Sequence, residues 1–252
     1  MVLSRLAFCQ THYSQRENHR MIFQRLRETL YFFWHHLTPL LARLLPALPL
    51  LAWADYRFLS LHGGKPESAL QDPLVLLPQM LAGLFATIVT IHYALAVVRK
   101  EAPTLGELWS QAMLRALPLA AVQILAGLLI LGGLLLLIVP GIYLMGALLP
   151  AYVLAVQEEK GPLEALKASW ERFRGQAWVI SANLCALFLG LMLVLRGLES
   201  LGQLLAAEPL ALRLAAESGL DLVGLLFSQM IGILLVRFYE LEQAPPVKAG
   251  WN

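Results

Sequence analysis

The sequence predicts an all-α polytopic membrane protein: six transmembrane helices with interfacial amphipathic helices, laid out as a threefold internal repeat of helical pairs. Three observations carry this. Of 252 residues, 58% are hydrophobic and only 14% charged, against about 25% charged in an ordinary soluble domain. The mean hydropathy is +0.65, more apolar surface than a soluble fold of this size can hide. The apolar residues also gather in unbroken runs near the ~20 residues that cross a bilayer core of about 30 Å, without the two-residue alternation of barrel strands. In hydrocarbon each backbone amide must bond within its own segment, which a helix achieves.

The expected spans are 32–53, 74–98, 116–139, 141–157, 177–198 and 220–239. The first contains Pro39, Pro46, Pro49 and Arg43. Each proline removes a helix hydrogen bond, so a kinked or partly re-entrant span is expected. Only the turn pair Pro140-Gly141 separates the third span from the fourth, which predicts a tight hairpin there, with one long broken helix as the alternative. Residues 1–24 read as a polar, basic extension with Met21 as a candidate start, and they show no signal-peptide core. Residues 25–243 form the six-helix membrane domain and 244–252 a short cytoplasmic tail.

Lys and Arg set orientation. The N-terminus, the 99–115 and 158–175 segments and the C-terminal end hold fourteen of them. The opposite segments hold four: Arg57, Lys65, Arg196 and Arg213. Both termini are therefore expected in the cytoplasm. The net charge of +2 is too small a bias to suggest nucleic acid. Cys9 and Cys185 cannot build a disulfide framework or a Cys-rich zinc site.

The cytoplasmic segments resemble one another. Residues 26–40 align with 105–119, matching Glu28 to Glu107, His36 to Arg115 and Pro39 to Pro118. A third copy starts at Pro162, the counterpart of Pro103. Each copy precedes two spans, so the layout is three units, each an interfacial helix plus a helical pair. In the third copy Leu163, Leu166, Trp170, Phe173 and Ala177 share a stripe. Pro162 suits a first helical turn and Gly175 a helix end. Such a helix lies at headgroup level; it serves either lipid or partner contact, or simply as the elbow between spans four and five.

Residues 138–175 resemble the YciC-like family of bacterial inner-membrane proteins. The shared pattern is Val139-Pro140-Gly141, a span ending at the acidic Glu158, then Ala165 and Ser169 before the basic helix end at Arg174. Tyr31-Phe32-Phe33 with His36-Leu37, and the final Phe238-Tyr239, fit as well. A related pattern occurs in membrane domains attached to some glycerophosphodiesterases, where the membrane part is not the catalytic part. The resemblance covers about residues 21–242. It implies a six-span inner-membrane protein without an accepted biochemical activity and with a role in envelope or lipid homeostasis; the motif residues are expected to be structural.

Intramembrane polar residues are costly and point to function by default. Arg43 lies about eleven residues into span one, where snorkelling is awkward. It either lines a polar cleft for a lipid headgroup, with His92 and Gln123, or is satisfied by carbonyls that the nearby prolines free. Small residues recur every fourth position at Ala182, Ala186 and Gly190, at Gly224, Ser228 and Gly232, and at Ala82, Ala86, Thr90 and Ala94. Such stripes let helices approach closely, and Asn183 and Gln229 beside them could bond across helices. The sequence carries no nucleophile elbow, zinc-protease motif, phosphate-cradling loop or dinucleotide fingerprint. A triad drawn from Ser228, His92 and Asp221 has no signal behind it. The expected function is thus non-enzymatic, without catalytic residues, metal or cofactor. Membrane lipids are the expected partners, with other inner-membrane or envelope proteins as further candidates. A transporter of a lipid or other amphiphile, with its cleft near Arg43, is the alternative.

Overall fold

A computed structural model describes residues 24–62, 72–204 and 210–243. Residues 1–23, Met21 and Cys9 among them, and the tail at 244–252 lie outside the described residues. Every regular element among the described residues is helical. Helix α1 covers 24–35. It is followed by α2 (Leu37–Leu44), a 3-10 turn (Leu45–Ala47), α3 (Leu48–His62), α4 (Pro73–Val98) and α5 (Leu105–Leu136). Then come α6 (Ile138–Leu148), α7 (Ala151–Gln157), α8 (Pro162–Phe173), α9 (Ala177–Leu204) and α10 (Leu210–Gln243). Among the described residues six stretches are long and apolar enough to cross a membrane: Leu37–Phe58, Pro73–Val98, Leu105–Leu136, Ile138–Gln157, Ala177–Leu198 and Gly219–Gln243. The chain is an all-α, multi-pass integral membrane protein.

Three boundaries differ from the sequence reading. The segment 105–115 is not a separate interfacial piece but the opening of α5. Thr104 starts that helix with a capping box: its hydroxyl accepts from the Glu107 amide at 3.3 Å, and Glu107 Oε2 accepts from the Thr104 amide at 2.9 Å. The helix runs from that start through Pro118 to Leu136 without interruption, and the true connection is 99–104. The hairpin break falls at Leu137, with φ −159° and ψ 137°, rather than at Pro140-Gly141. Pro140 is tolerated in the first turn of α6, where its missing N–H would have no partner. Gly141 keeps its role as a small residue, because a Cβ there would lie 2.6 Å from the Leu134 amide nitrogen. The first span is interrupted at His36 and again at the 3-10 turn. Pro39 and Pro49 fall in the first turns of α2 and α3, and Pro46 inside the 3-10 turn, so each sits where an amide is dispensable.

Burial alternates along the chain. In the second, fourth and sixth spans 44, 50 and 44% of the apolar window is buried, against 28, 22 and 28% in the first, third and fifth. Each successive pair therefore supplies one outer and one inner helix. Helix α4 packs on α3, α5 and α10, and α7 touches α4, α5, α8 and α10 at the centre. Val153, Leu154, Ala155 and Val156 are almost wholly enclosed. The ends of α4 and α7 repeat as well. Among the described residues, Lys100 and Glu159 are the non-glycine residues with positive φ, at 61° and 56°. Each stands three residues before the proline, Pro103 or Pro162, that aligned the copies in the sequence. After α4, the Glu101 amide donates to Ala96 O at 2.8 Å and the Lys100 amide to Val97 O at 3.1 Å, a Schellman cap that satisfies carbonyls at the helix end.

The seam between α4 and α10 uses the small residues of α4. Ala82, Ala86, Thr90 and Ala94 are buried, and a Cβ on Gly232 would meet Thr90 Cγ2 at 3.6 Å. Across the seam Thr90 Oγ1 donates to Gln229 Oε1 at 2.5 Å. The tightest approach joins α6 to α9, where a Cβ on Gly146 would run into the Ala177 carbonyl oxygen and Ser181 Oγ. We expect Gly146→Val to destabilise the folded protein by ~1–3 kcal/mol through overpacking. Gly127→Val, at an exposed position with open space around it, should be far milder. Thermal unfolding of both variants in detergent checks this.

Candidate functional site

Arg43 is held by the break in span one. Its Nη1 donates to Pro39 O at 2.9 Å, and its guanidinium sits 4.2 Å over the centroid of the Tyr93 ring on α4. Tyr93 OH in turn lies 2.8 Å from His36 Nδ1, at the junction of α1 and α2. Trp109 Nε1 of α5 donates to the Arg43 carbonyl at 3.1 Å, where the chain switches to the 3-10 turn. Phe85 stacks on the Trp109 ring at 5.7 Å. An arginine within an apolar span is therefore met by a proline-proximal carbonyl and a cation–π contact.

Among the described residues, no hydrogen bond or ring contact joins Arg43, His92 and Gln123. His92 is one residue from Tyr93 and so about 100° around the helix; its charged neighbours are Arg115 and Arg99. Gln123 is half-buried on α5 and has no hydrogen bond among the described residues. Tyr93 and Trp109, which do meet Arg43, carry no local sequence signal, since their role arises only when α4 and α5 pack beside α2.

The residues of the Val-Pro-Gly to Arg174 pattern converge on an elbow around α6, α7 and α8. Val139 is exposed at the hairpin tip beside Pro140, and Ala165 is buried. Ser169, also buried, donates from Oγ to Ala147 O at 2.7 Å. Glu158 accepts a bidentate pair from Arg172, at 2.6 and 3.1 Å, and a third contact from Lys160 Nζ at 2.8 Å. Partial burial acts to raise the Glu158 carboxyl. The hydrogen bonds and charges of Arg172 and Lys160 outweigh it and hold the group below the usual carboxylate range. Arg174 contributes its carbonyl, which accepts from Tyr143 OH at 2.8 Å, while its side chain is exposed. Ser181 Oγ donates to Ile142 O at 2.6 Å. Neighbouring ion pairs close the same end of the bundle: Arg115 with Glu159, and Arg237 with Glu28 at 3.2 Å.

Helix α8 is rotated from the expected stripe. Its buried side is Ala165, Leu166, Ser169 and Phe173, because Ser169 turns inward to reach Ala147. Leu163 is 72% exposed and Trp170 36%. With the exposed Lys167 and Arg174 they occupy positions i, i+4, i+7 and i+11, one outward face. Tyr143 packs edge-on to Trp170 at 5.8 Å and tilts against Trp178 at 5.5 Å, so that face adjoins an aromatic cluster.

The other small-residue stripes divide. Ala182, Ala186 and Gly190 lie half-buried beside the enclosed face of α9, and a Cβ on Gly190 would meet only Phe227, at 3.9 Å. Asn183 donates to Val179 O of its own helix at 2.8 Å rather than across helices, whereas Gln229 does bond across to Thr90. Gly232 closes a seam, but Gly224 and Ser228 line an open groove with Asp221. His92, the third member of the drawn triad, is not part of that lining.

In comparisons with family models, with curated proteins and with solved structures, nothing matches this chain.

Glu158 binds its proton less readily in the fold than in the unfolded chain, so its contribution to stability is complete above the ordinary range of about pH 4–5. That contribution is lost as the pH falls below it. The melting temperature in detergent should therefore drop between pH 6 and pH 3.5, and Glu158→Gln should flatten that drop while lowering stability at pH 6.

Proposed function

We propose that this chain is a non-enzymatic protein of the bacterial inner membrane, related to the YciC-like proteins, that supports envelope and lipid homeostasis by holding and organising lipid. Both termini face the cytoplasm, on the side that carries the excess of Lys and Arg. The observation that carries the reading is the outward face of α8. Leu163 and Trp170 are available to the acyl boundary, and Lys167 and Arg174 beside them to lipid phosphates. The exposed side also carries Glu164 and Glu171, so this mixed face meets lipid headgroups as a zwitterionic, amphipathic surface while it buries apolar area. Its inner face is fastened to α6 by Ser169 and Tyr143, so lipid bound there is positioned by the bundle.

The transporter alternative needed a cleft at Arg43. Arg43 Nη1 is held by the Pro39 carbonyl and its guanidinium lies over Tyr93, while Nε is buried without a hydrogen-bond partner among the described residues; the lipid-organising reading rests on α8 and not on this site.

A deletion strain is the test. Its phospholipid composition and envelope permeability should change, and the wild-type chain should restore both. The Lys167→Glu/Arg174→Glu chain, present in the membrane at wild-type level, should fail to restore them. An unaltered profile on deletion, or full rescue by the charge-reversed chain, would contradict the proposal.

A further inference from the structure

Three basic side chains meet where α4, α5 and α7 reach the Glu158 end of the bundle. His92 and Arg99 stand seven residues apart on α4, two turns along one face and about 10 Å apart in height. Arg115 comes from α5, which packs on α4. The end of α7 gathers both arginines. Arg115 Nη2 pairs with Glu159. The Gln157 amide, oriented with its oxygen toward Arg99, accepts from Nη1 at 3.0 Å and from Nη2 at 2.6 Å. Arg115 and Arg99 are in turn the charged neighbours of His92.

Two nitrogens of this cluster are buried without a hydrogen-bond partner among the described residues: His92 Nε2 and Arg115 Nε. A buried polar group left unpaired is costly. The adjoining elbow shows the contrast, since Arg172 engages both Nη1 and Nη2 with Glu158. The carboxylate paired in this cluster is Glu159, 70% exposed. It sits at the watery rim, meets Arg115 at Nη2 and leaves Nε unmatched. Two guanidinium groups and an imidazole thus share one rim carboxylate, and the inner nitrogens call for an acceptor that carries negative charge.

The cluster also lies at headgroup depth. Helix α5 has 32 residues, about 48 Å against a hydrocarbon core of about 30 Å. At its far tip Leu135, Leu136, Leu137, Ile138 and Val139 are all exposed, so the tip stays in hydrocarbon and the surplus of about twelve residues lies at the near end. Arg115 is the eleventh residue of α5. His92 is the twentieth of α4, the length that crosses the core.

We propose that His92, Arg99 and Arg115 together bind a phosphate group. Guanidinium and imidazole N–H groups donate to phosphate oxygens in short, charge-assisted bonds. A phospholipid headgroup and free phosphate offer the same chemistry, and the depth of the cluster favours the headgroup. In that form the inference rests on the lipid reading above and gives it a second site, apart from α8.

The test uses the full chain, delipidated in an uncharged maltoside detergent. It is titrated with phosphatidylglycerol and with the phosphate-free diacylglycerol of the same chains, and bound lipid is counted by native mass spectrometry. Inorganic phosphate is measured separately by equilibrium dialysis. The wild-type chain should hold one phosphatidylglycerol at least ten-fold more tightly than diacylglycerol. Arg99→Gln, Arg115→Gln and His92→Phe should each weaken it at least five-fold, whereas Lys167→Gln/Arg174→Gln on α8 should keep it. Arg99 is exposed, so its variant remains informative where a deeper one fails to fold. Phosphate binding by dialysis with the same dependence on the three residues, and no preference between the lipids, would support the site and assign it to free phosphate. Equal affinity for the two lipids without phosphate binding, or wild-type affinity in the Arg99→Gln and His92→Phe chains, would overturn the proposal. The readout is independent of the strain phenotype. A phosphate site with an unaltered strain profile would refute the homeostasis role and leave the site; an altered profile without phosphate binding would refute the site and leave the role.

Discussion

A backbone carbonyl that loses its helical partner in hydrocarbon has no water to turn to, and this constraint organises the bundle. Span one is interrupted at His36 and at the 3-10 turn, the hairpin at Leu137, and span four at Leu149-Pro150. Polar side chains gather near these places and donate to carbonyls: Arg43 to Pro39, Trp109 to Arg43, and Ser169 to Ala147. Tyr143 and Ser181 do the same at the elbow. Several polar side chains in the bundle thus bond backbone carbonyls, while Thr90 with Gln229 and Tyr93 with His36 bond each other across helices.

The same economy separates the two ends. At one end Glu158, Arg172, Lys160, Arg115, Glu159, Arg237 and Glu28 form a mesh of ion pairs. Exposed pairs of this kind contribute little stability singly, but here they tie α1, α5, α8 and α10 to the ends of the inner spans. At the other end α3 and α4 are joined by Arg57 and Asp72 at 2.8 Å, and the groove lies inward of that link. The alternation of outer and inner spans fits three copies of one unit, each adding a screen and a core helix.

The spans were legible in the sequence because hydrocarbon imposes a length and a composition, both of which survive as runs. Helix starts were partly legible: Thr104 and Glu107 carry the capping pattern, but Glu107 and Arg115 made 105–115 read as a separate interfacial helix. Pro140-Gly141 looked like the break because proline ends helices more often than it starts them; here it starts one, and the chain turns at an unremarkable leucine. The orientation of α8 was misread because Ser169, polar in the sequence, is inside, and Leu163 is outside. Arg43 was identifiable as costly, but its partners Tyr93 and Trp109 lie on other helices and depend on tertiary packing. The groove had no sequence signal distinct from a packing stripe, since Gly224 closing a seam and Gly224 lining a gap read alike.

The central claim is that six helices cross the membrane and bring the 99–104 and 158–161 connections to one side. Single cysteines at Lys100, Glu159 and Leu61, in a chain whose Cys9 and Cys185 are replaced by serine, test this with a membrane-impermeant maleimide on intact and permeabilised cells. The account predicts that Leu61→Cys reacts in intact cells, and that Lys100→Cys and Glu159→Cys react only after permeabilisation. Reaction of all three from the same side, or of Lys100→Cys and Glu159→Cys from opposite sides, would contradict it.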